Sequence, residues 1–156
     1  MSATNNELIL GRDLMFNIQK SDLVATPGGD MELSKYRYCL AQAIFSRLNT
    51  RQGELALHPL YGSLLSTMIG EINNEDNREK IRLFVIETLS QEPRIDTINE
   101  VTITMVSDEV NTVRIYVYVT SIVYTTPGTP TGAPIELNLT YDYYLLYGGV
   151  KQVSID

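Results

Sequence analysis

The chain has 156 residues, of which 44% are hydrophobic and 20% charged, and its formal net charge is −7. These proportions are typical of a single globular domain, and they exclude a collagen-like or wholly disordered chain. Nucleic-acid binders usually carry a basic face, because phosphate contacts supply much of their affinity. No basic block occurs in this chain, so we expect neither nucleic acid nor an anionic membrane as a partner.

The single cysteine, Cys39, excludes a disulfide within the chain, and we expect it to be a small buried residue. No apolar run reaches the ~18 residues of a membrane span. The N-terminal segment has no basic region followed by an apolar stretch. We therefore expect no signal peptide and a start in the cytoplasm.

The first 30 residues predict an extended arm or hairpin. Leu14–Ile18 and Leu23–Ala25 have the composition of short strands, and Thr26–Asp30 has that of a turn.

A first helix is predicted from Met31 to Asn49, where apolar residues recur at three- and four-residue steps. Asp30 is placed to cap its start. Gly53–Ser63 follows as a loop with short apolar anchors, and a brief helix around Leu65 comes next. A third helix begins at Asn73 or Asn74, either of which can cap it, and ends before a proline, Pro93.

After this helix the period of the apolar residues changes from 3.6 to 2, which predicts strands. Val101–Val106 and Val113–Val119 flank a short turn and predict an antiparallel hairpin. A third strand is predicted to place seven apolar or aromatic side chains on one face: Ile135, Leu137, Leu139, Tyr141, Tyr143, Leu145 and Tyr147.

Together these elements predict an α+β fold, with two to three helices packed on a three-stranded, mainly antiparallel sheet. The arm or hairpin occupies residues 1–30, and a single domain spans 31–156. Its helices lie within 31–93 and its sheet within 97–148.

Few side chains of this chain suit catalysis or metal binding. One histidine and one cysteine give neither a metal cluster nor a catalytic triad. Paired carboxylates could serve a glycosidase, with Glu54, Glu71, Glu87 and Glu92 as candidates, but any chain with 19 acidic residues offers many such pairs. We therefore predict no catalytic residue, no metal ligand and no cofactor.

The triplet Glu92-Pro93-Arg94 places opposite charges on both sides of a proline at a helix exit. One interpretation is helix termination with solvated charges. The other is a rigid charged corner that docks a partner or locks the fold.

Several spaced motifs resemble the baseplate assembly protein W family, the small wedge subunits or sheath initiators of contractile phage tails and related injection machines. The resemblance covers about residues 11–106. The motifs that carry it are Gly11–Leu14, Gly29-Asp30, Ala43-Ile44, Arg47–Glu54, His58–Ser63 and Glu92–Arg94.

This resemblance implies a structural protein that joins the baseplate wedge to the first sheath ring. Its partners would be larger baseplate wedge proteins and the tail sheath protein, with tail tube or hub proteins as further candidates. Its location would be the tail baseplate of the virion, after assembly in the host cytoplasm.

The resemblance also implies that Glu92, Pro93 and Arg94 sit against the helical core bundle of the larger wedge proteins. The sheet would receive sheath segments by strand addition on the third strand, and we expect the edge of that strand, or of its neighbour, to be open. Two alternatives remain: a lysozyme-like hydrolase of cell-wall glycan that uses Glu54 and another acid, and a generic oligomeric adaptor.

Overall fold

The structure, a computed structural model, describes residues 10–17, 20, 22–122 and 133–156. Residues 1–9 of the predicted arm, and Ile18 of its first predicted strand, lie outside the described residues.

The described part of the arm is a narrow antiparallel hairpin. Strand β1 (Arg12–Leu14) pairs with β4 (Leu33–Lys35), and β2 (Phe16–Asn17) pairs with β3 (Asp22–Leu23). The predicted hairpin is thus present, but its returning strand includes residues that the sequence assigned to the first helix.

The first helix, α1 (Arg37–Asn49), therefore begins six residues later than predicted. The residues at the start of the predicted helix, from Leu33 to Lys35, pair with β1 instead. Tyr36, with a positive φ of 54°, separates this strand from the helix. Asp30 does not cap the helix. Its N–H bonds to the Thr26 hydroxyl, so it closes the hairpin turn.

The other two helical segments follow the predictions closely. Leu65–Met68 is a single 3₁₀ turn, and α2 spans Glu75–Ser90. Asn74 caps α2, because its side chain accepts a hydrogen bond of 2.8 Å from the Asn77 N–H. Within the described residues, neither α1 nor α2 is long and apolar enough to span a membrane.

The sheet has four antiparallel strands and not the three predicted. Its order is β5 (Ile95–Val106), β6 (Glu109–Ser121), β7 (Glu136–Tyr144) and β8 (Val150–Ile155). The sequence interpretation ended the sheet at Gly148. That glycine and its successor have positive φ angles of 72° and 95°, and they turn the chain back into β8.

The helices cover one face of this sheet and form a two-layer core with it. Alternate residues of the two central strands supply the sheet side of that core: Val113, Ile115, Val117 and Val119 from β6, and Leu137, Leu139, Tyr141 and Tyr143 from β7.

Candidate functional site

The Glu92-Pro93-Arg94 corner connects the end of α2 to the start of β5. The Glu92 side chain is only 3% exposed, and it binds two cations. Its Oε1 accepts a hydrogen bond of 2.6 Å from Arg94 Nε, and its Oε2 lies 3.3 Å from an Nη of Arg47 on α1. The interpretation as solvated charges is therefore wrong, and the corner locks the fold.

Arg94 extends this ion cluster to the N-terminal hairpin. Its Nη1 donates to the Leu10 carbonyl at 3.1 Å and lies 3.9 Å from the Cys39 sulfur, while its own carbonyl accepts from Ile122 N–H. Arg94 thus connects the hairpin and α1 through its side chain, and the end of β6 through its main-chain carbonyl. Pro93 is exposed between its two charged neighbours.

Electrostatics keep both members of the corner ionised. Burial alone would raise the pKa of Glu92, but the hydrogen bond from Arg94 and the charges of Arg94 and Arg47 outweigh it and lower that pKa. Burial raises the pKa of Cys39, against the opposing effect of Arg94. The thiol is buried as expected, in surroundings that do not favour a reactive thiolate.

Arg47 also joins the corner to the loop of residues 50–63, which we call the 50–63 loop. The Arg47 guanidinium lies over the Tyr61 ring, with 4.5 Å from its carbon to the ring centroid. Leu57 and Leu60, which the sequence interpretation treated as apolar anchors, are 89% and 73% exposed. Sequence reasoning missed this exposed pair, because a leucine pattern does not reveal which loop residues find a core.

The residues predicted for strand addition lie elsewhere than expected. Leu137, Leu139, Tyr141 and Tyr143 point into the core, and Ile135 precedes β7 in a half-buried position. Strand β7 pairs with β6 on one side and with β8 on the other. The expectation of an open edge on the third strand itself is therefore wrong, and the neighbouring strand β8 forms the edge.

The start of the β8 edge is closed by a side chain of α1. The Asn49 side chain accepts a 2.9 Å hydrogen bond from the Val150 N–H and donates to the Val150 carbonyl at 3.3 Å. Further along, the Gln152 side chain is buried, and neither its amide nitrogen nor its oxygen has a hydrogen-bond partner among the described residues. The hydroxyl of Tyr141, directly opposite Gln152 on β7, is also buried without a partner.

The outer face of the sheet carries two tyrosines of β6. Tyr116 and Tyr118 line a shallow groove of about 290 Å³ there. Beside them Arg114 makes a two-pronged ion pair with Asp142, at 2.7 and 2.9 Å. The tyrosines of β6 and β7 are thus divided between the outer face and the core.

Besides Glu92, two of the acidic residues considered for hydrolysis accept hydrogen bonds within the fold. Glu54 accepts from the Arg51 N–H at 3.0 Å within the 50–63 loop, and Glu71 accepts from Asn77 at 3.5 Å near the start of α2. Among the described residues, no group of three or more His, Cys, Asp or Glu side chains could hold a metal ion.

Comparison with known families decides what this arrangement belongs to. Residues 12–124 match the model of the family described as contractile injection system sheath initiator. The chain belongs to this sheath initiator family. The resemblance found in the sequence is thereby confirmed, and as a sheath initiator the protein has a structural role in the assembly of a contractile sheath. Its location is the tail baseplate, and it interacts with sheath and baseplate components.

Solved structures share the fold. The chain is similar to the crystal structure described as that of a tail lysozyme from Geobacter sulfurreducens, with 24% sequence identity and a TM-score of 0.57. The alignment covers 74% of this chain and 96% of the other. At this level of identity the likeness shows the fold alone. No curated protein matches the chain.

Proposed function

We propose that this sheath initiator joins the larger baseplate wedge proteins to the first sheath ring, and that a sheath subunit adds a strand to the β8 edge. The observation that carries the proposal is the buried, unpartnered amide of Gln152 on this edge strand. A buried amide without a partner is unfavourable, and an added strand would supply polar groups beside it.

The opposite edge is less suited to strand addition. The pairing of β5 with β6 has three register irregularities, whereas that of β8 with β7 has one. Irregularities of this kind bend an edge strand and discourage further pairing. The six residues of β8 also match the length of an ordinary strand.

A lysine placed on each edge strand in turn tests whether the sheath subunit adds to β8 or to β5. Val153 on β8 and Met105 on β5 are exposed apolar residues, at 46% and 57%. Lysine on an edge strand opposes the addition of another strand. We expect Val153→Lys to reduce the fraction of purified baseplates that carry extended sheath, counted by negative-stain electron microscopy, and Met105→Lys to leave it unchanged. If Met105→Lys reduces that fraction and Val153→Lys does not, the sheath subunit adds its strand to β5 instead.

We further propose that the Glu92-Pro93-Arg94 corner serves the contact with the helical core bundle of the wedge proteins by holding α1 and the 50–63 loop in place. Burial of Glu92 supports this indirect role, because a side chain 3% exposed has little surface to offer a partner. Assembly in the host cytoplasm, and placement in the virion of a phage, belong to the same proposal. The tail tube and hub proteins are the further partners it allows.

The protein would act without catalysis. A glycan hydrolase needs a carboxylic acid whose pKa is raised so that it can protonate the leaving group. The buried carboxyl of Glu92 has its pKa lowered by Arg94 and Arg47 against the effect of burial, which is the opposite shift. We expect the purified protein not to clear a peptidoglycan suspension. Clearing that Glu54→Gln abolishes would establish the hydrolase instead.

A further inference from the structure

The 50–63 loop displays apolar side chains to solvent. Leu57, at 89%, has the highest exposure of any large apolar residue in the described part of the chain, and Leu60 is 73% exposed. Single exposed leucines are common on protein surfaces. Two of them on one short loop, beside a pocket of about 590 Å³ that also includes Pro59 and Tyr61, form a patch that a partner can cover.

The loop that carries these leucines is held by many backbone hydrogen bonds. Gly53 N–H bonds to the Pro59 carbonyl at 3.0 Å, and Ser63 N–H bonds to the Thr50 carbonyl at 2.8 Å. Gly62 has a φ of +109°, and a Cβ there would lie 2.5 Å from the Thr50 carbonyl oxygen. The loop is thus built to one conformation, so a partner that binds it loses little free energy to ordering.

Charge identifies the chemistry of the partner. Arg47 lines the same pocket, and within the described residues it donates one hydrogen bond, to Glu92. Glu92 is shared between Arg47 and Arg94, so this cluster holds two guanidinium groups for one carboxylate. The Nε of Arg47 has no acceptor. A second carboxylate on the pocket side would balance the cluster, and a partner can supply it.

We infer that the pocket beside the 50–63 loop is the docking site for a baseplate subunit, which places an apolar side chain between Leu57 and Leu60 and a carboxylate against Arg47. The inference rests on the proposed function, because its occupant is the baseplate side of the junction. The 50–63 loop then makes the direct contact with the partner, and the Glu92-Pro93-Arg94 corner holds that loop in place.

The test uses particles assembled in cells that lack the gene and are complemented with variants of the full chain. Leu57→Ser combined with Leu60→Ser removes the apolar patch. Ile72→Ser combined with Leu146→Ser is the matched control, because those side chains are 75% and 64% exposed on other surfaces. Since all four side chains are exposed, both variants should keep the circular dichroism spectrum and melting temperature of the wild type.

We expect the Leu57/Leu60 variant to be at least about tenfold depleted from purified baseplates, measured by quantitative mass spectrometry, since central apolar anchors dominate interface energies. The control variant should be incorporated like the wild type. Equal incorporation of both variants overturns the docking site. If the gene deletion itself leaves extended sheaths on baseplates, the proposed function fails and not merely the docking site.

A photo-crosslinking residue, p-benzoylphenylalanine, identifies the occupant when it replaces Leu60, with the same residue at Ile72 as the control. We expect a crosslink from position 60 to a baseplate-subunit peptide that contains Asp or Glu, and none from position 72. Replacing that acid by its amide should reduce incorporation. A crosslink from position 60 to a sheath subunit, or to a second copy of this chain, overturns the inference.

Discussion

The protein buries polar groups in two regions, and it satisfies them to different degrees. At the corner after α2, the carboxylate of Glu92 is matched by Arg94 and Arg47. On the inner face of the sheet, the hydroxyl of Tyr141 and the amide of Gln152 have no partners, although both are buried. The buried carboxylate of the corner thus finds its cations within the chain, whereas the two polar side chains near the β8 edge find no partner among the described residues.

This contrast distinguishes buried polar residues that stabilise the isolated fold from those that a partner protein could satisfy. A matched buried charge becomes strongly unfavourable once a partner is removed. A buried polar group without a hydrogen-bond partner is already unfavourable, so its removal should not lower the stability of the isolated protein. Substitutions in each region can show whether loss of a polar group destabilises the corner but not the inner face of the sheet.

The largest effect is expected from Arg94→Ala. If the corner served only to dock a partner, this change would weaken wedge incorporation far more than it unfolds the protein. Burial of Glu92 makes a loss of about 3 kcal/mol in the free energy of unfolding the better expectation, because Arg47 would then be its only cation. Urea unfolding followed by circular dichroism measures the loss.

Arg114→Ala is the control for that experiment. Arg114 also pairs with a carboxylate, Asp142, but on the outer face, where its side chain is 32% exposed. We expect a loss of less than about 1 kcal/mol. Similar losses for Arg94→Ala and Arg114→Ala would contradict the idea that burial distinguishes the two pairs.

Acid should weaken the corner through Glu92. Its folded-state pKa lies below the ordinary value of 4.5, so its ionised form stabilises the fold above that pH. The contribution is lost as the pH falls below 4.5 and through the folded pKa. We expect the stability difference between wild type and Glu92→Gln to shrink over this range. A difference independent of pH between 6 and 3 would show that the carboxylate charge is not what stabilises the corner.

Tyr143→Phe should cost about 1–2 kcal/mol. The Tyr143 hydroxyl donates a hydrogen bond to the carbonyl of Leu65, in surroundings whose burial raises the pKa of Tyr143 to about 12. Removing the hydroxyl leaves that carbonyl without its donor. Thermal unfolding of the variant checks the value, and an unchanged melting temperature would mean that the bond contributes nothing.

The smallest change is expected from Tyr141→Phe, two residues away on the same face. Its hydroxyl has no partner, so its removal should leave stability unchanged or raise it slightly. Gln152→Met should act in the same direction in the isolated protein. If Tyr141→Phe destabilises as much as Tyr143→Phe, the hydroxyl of Tyr141 is satisfied and the inner face is complete after all.

Sequence patterns predicted the elements whose signals are local. The α2 helix has its cap at Asn74, and apolar residues alternate along Val101–Met105 and Val113–Val119 of the β5–β6 hairpin, so both were found. Helix α1 was begun too early because Leu33 and Tyr36 continue its apolar stripe. The competing signal was the pairing of β1 with residues 33–35, which is tertiary and leaves no mark on a helical pattern.

The candidate site likewise combines features that are local in sequence with contacts that are not. The charges and the proline of the Glu92-Pro93-Arg94 corner identified it in the sequence, but burial of Glu92 depends on Arg47, which lies 45 residues earlier. Strand β8 was missed because its six residues follow two glycines that were interpreted as an end. Without β8, β7 became a candidate edge strand, and its four core residues, together with half-buried Ile135, were assigned to a partner.

The bonds between Asn49 and Val150 join positions 101 residues apart. Asn49 is the last residue of α1, and its side chain makes these bonds to the first residue of the final strand. On the ribosome, the end of α1 therefore emerges long before its partner is made. Contacts so distant in sequence form slowly, because a long stretch of chain must close first. Native closure thus requires synthesis to pass Val150, and a product that stops before this residue would lack both of these hydrogen bonds to the end of α1.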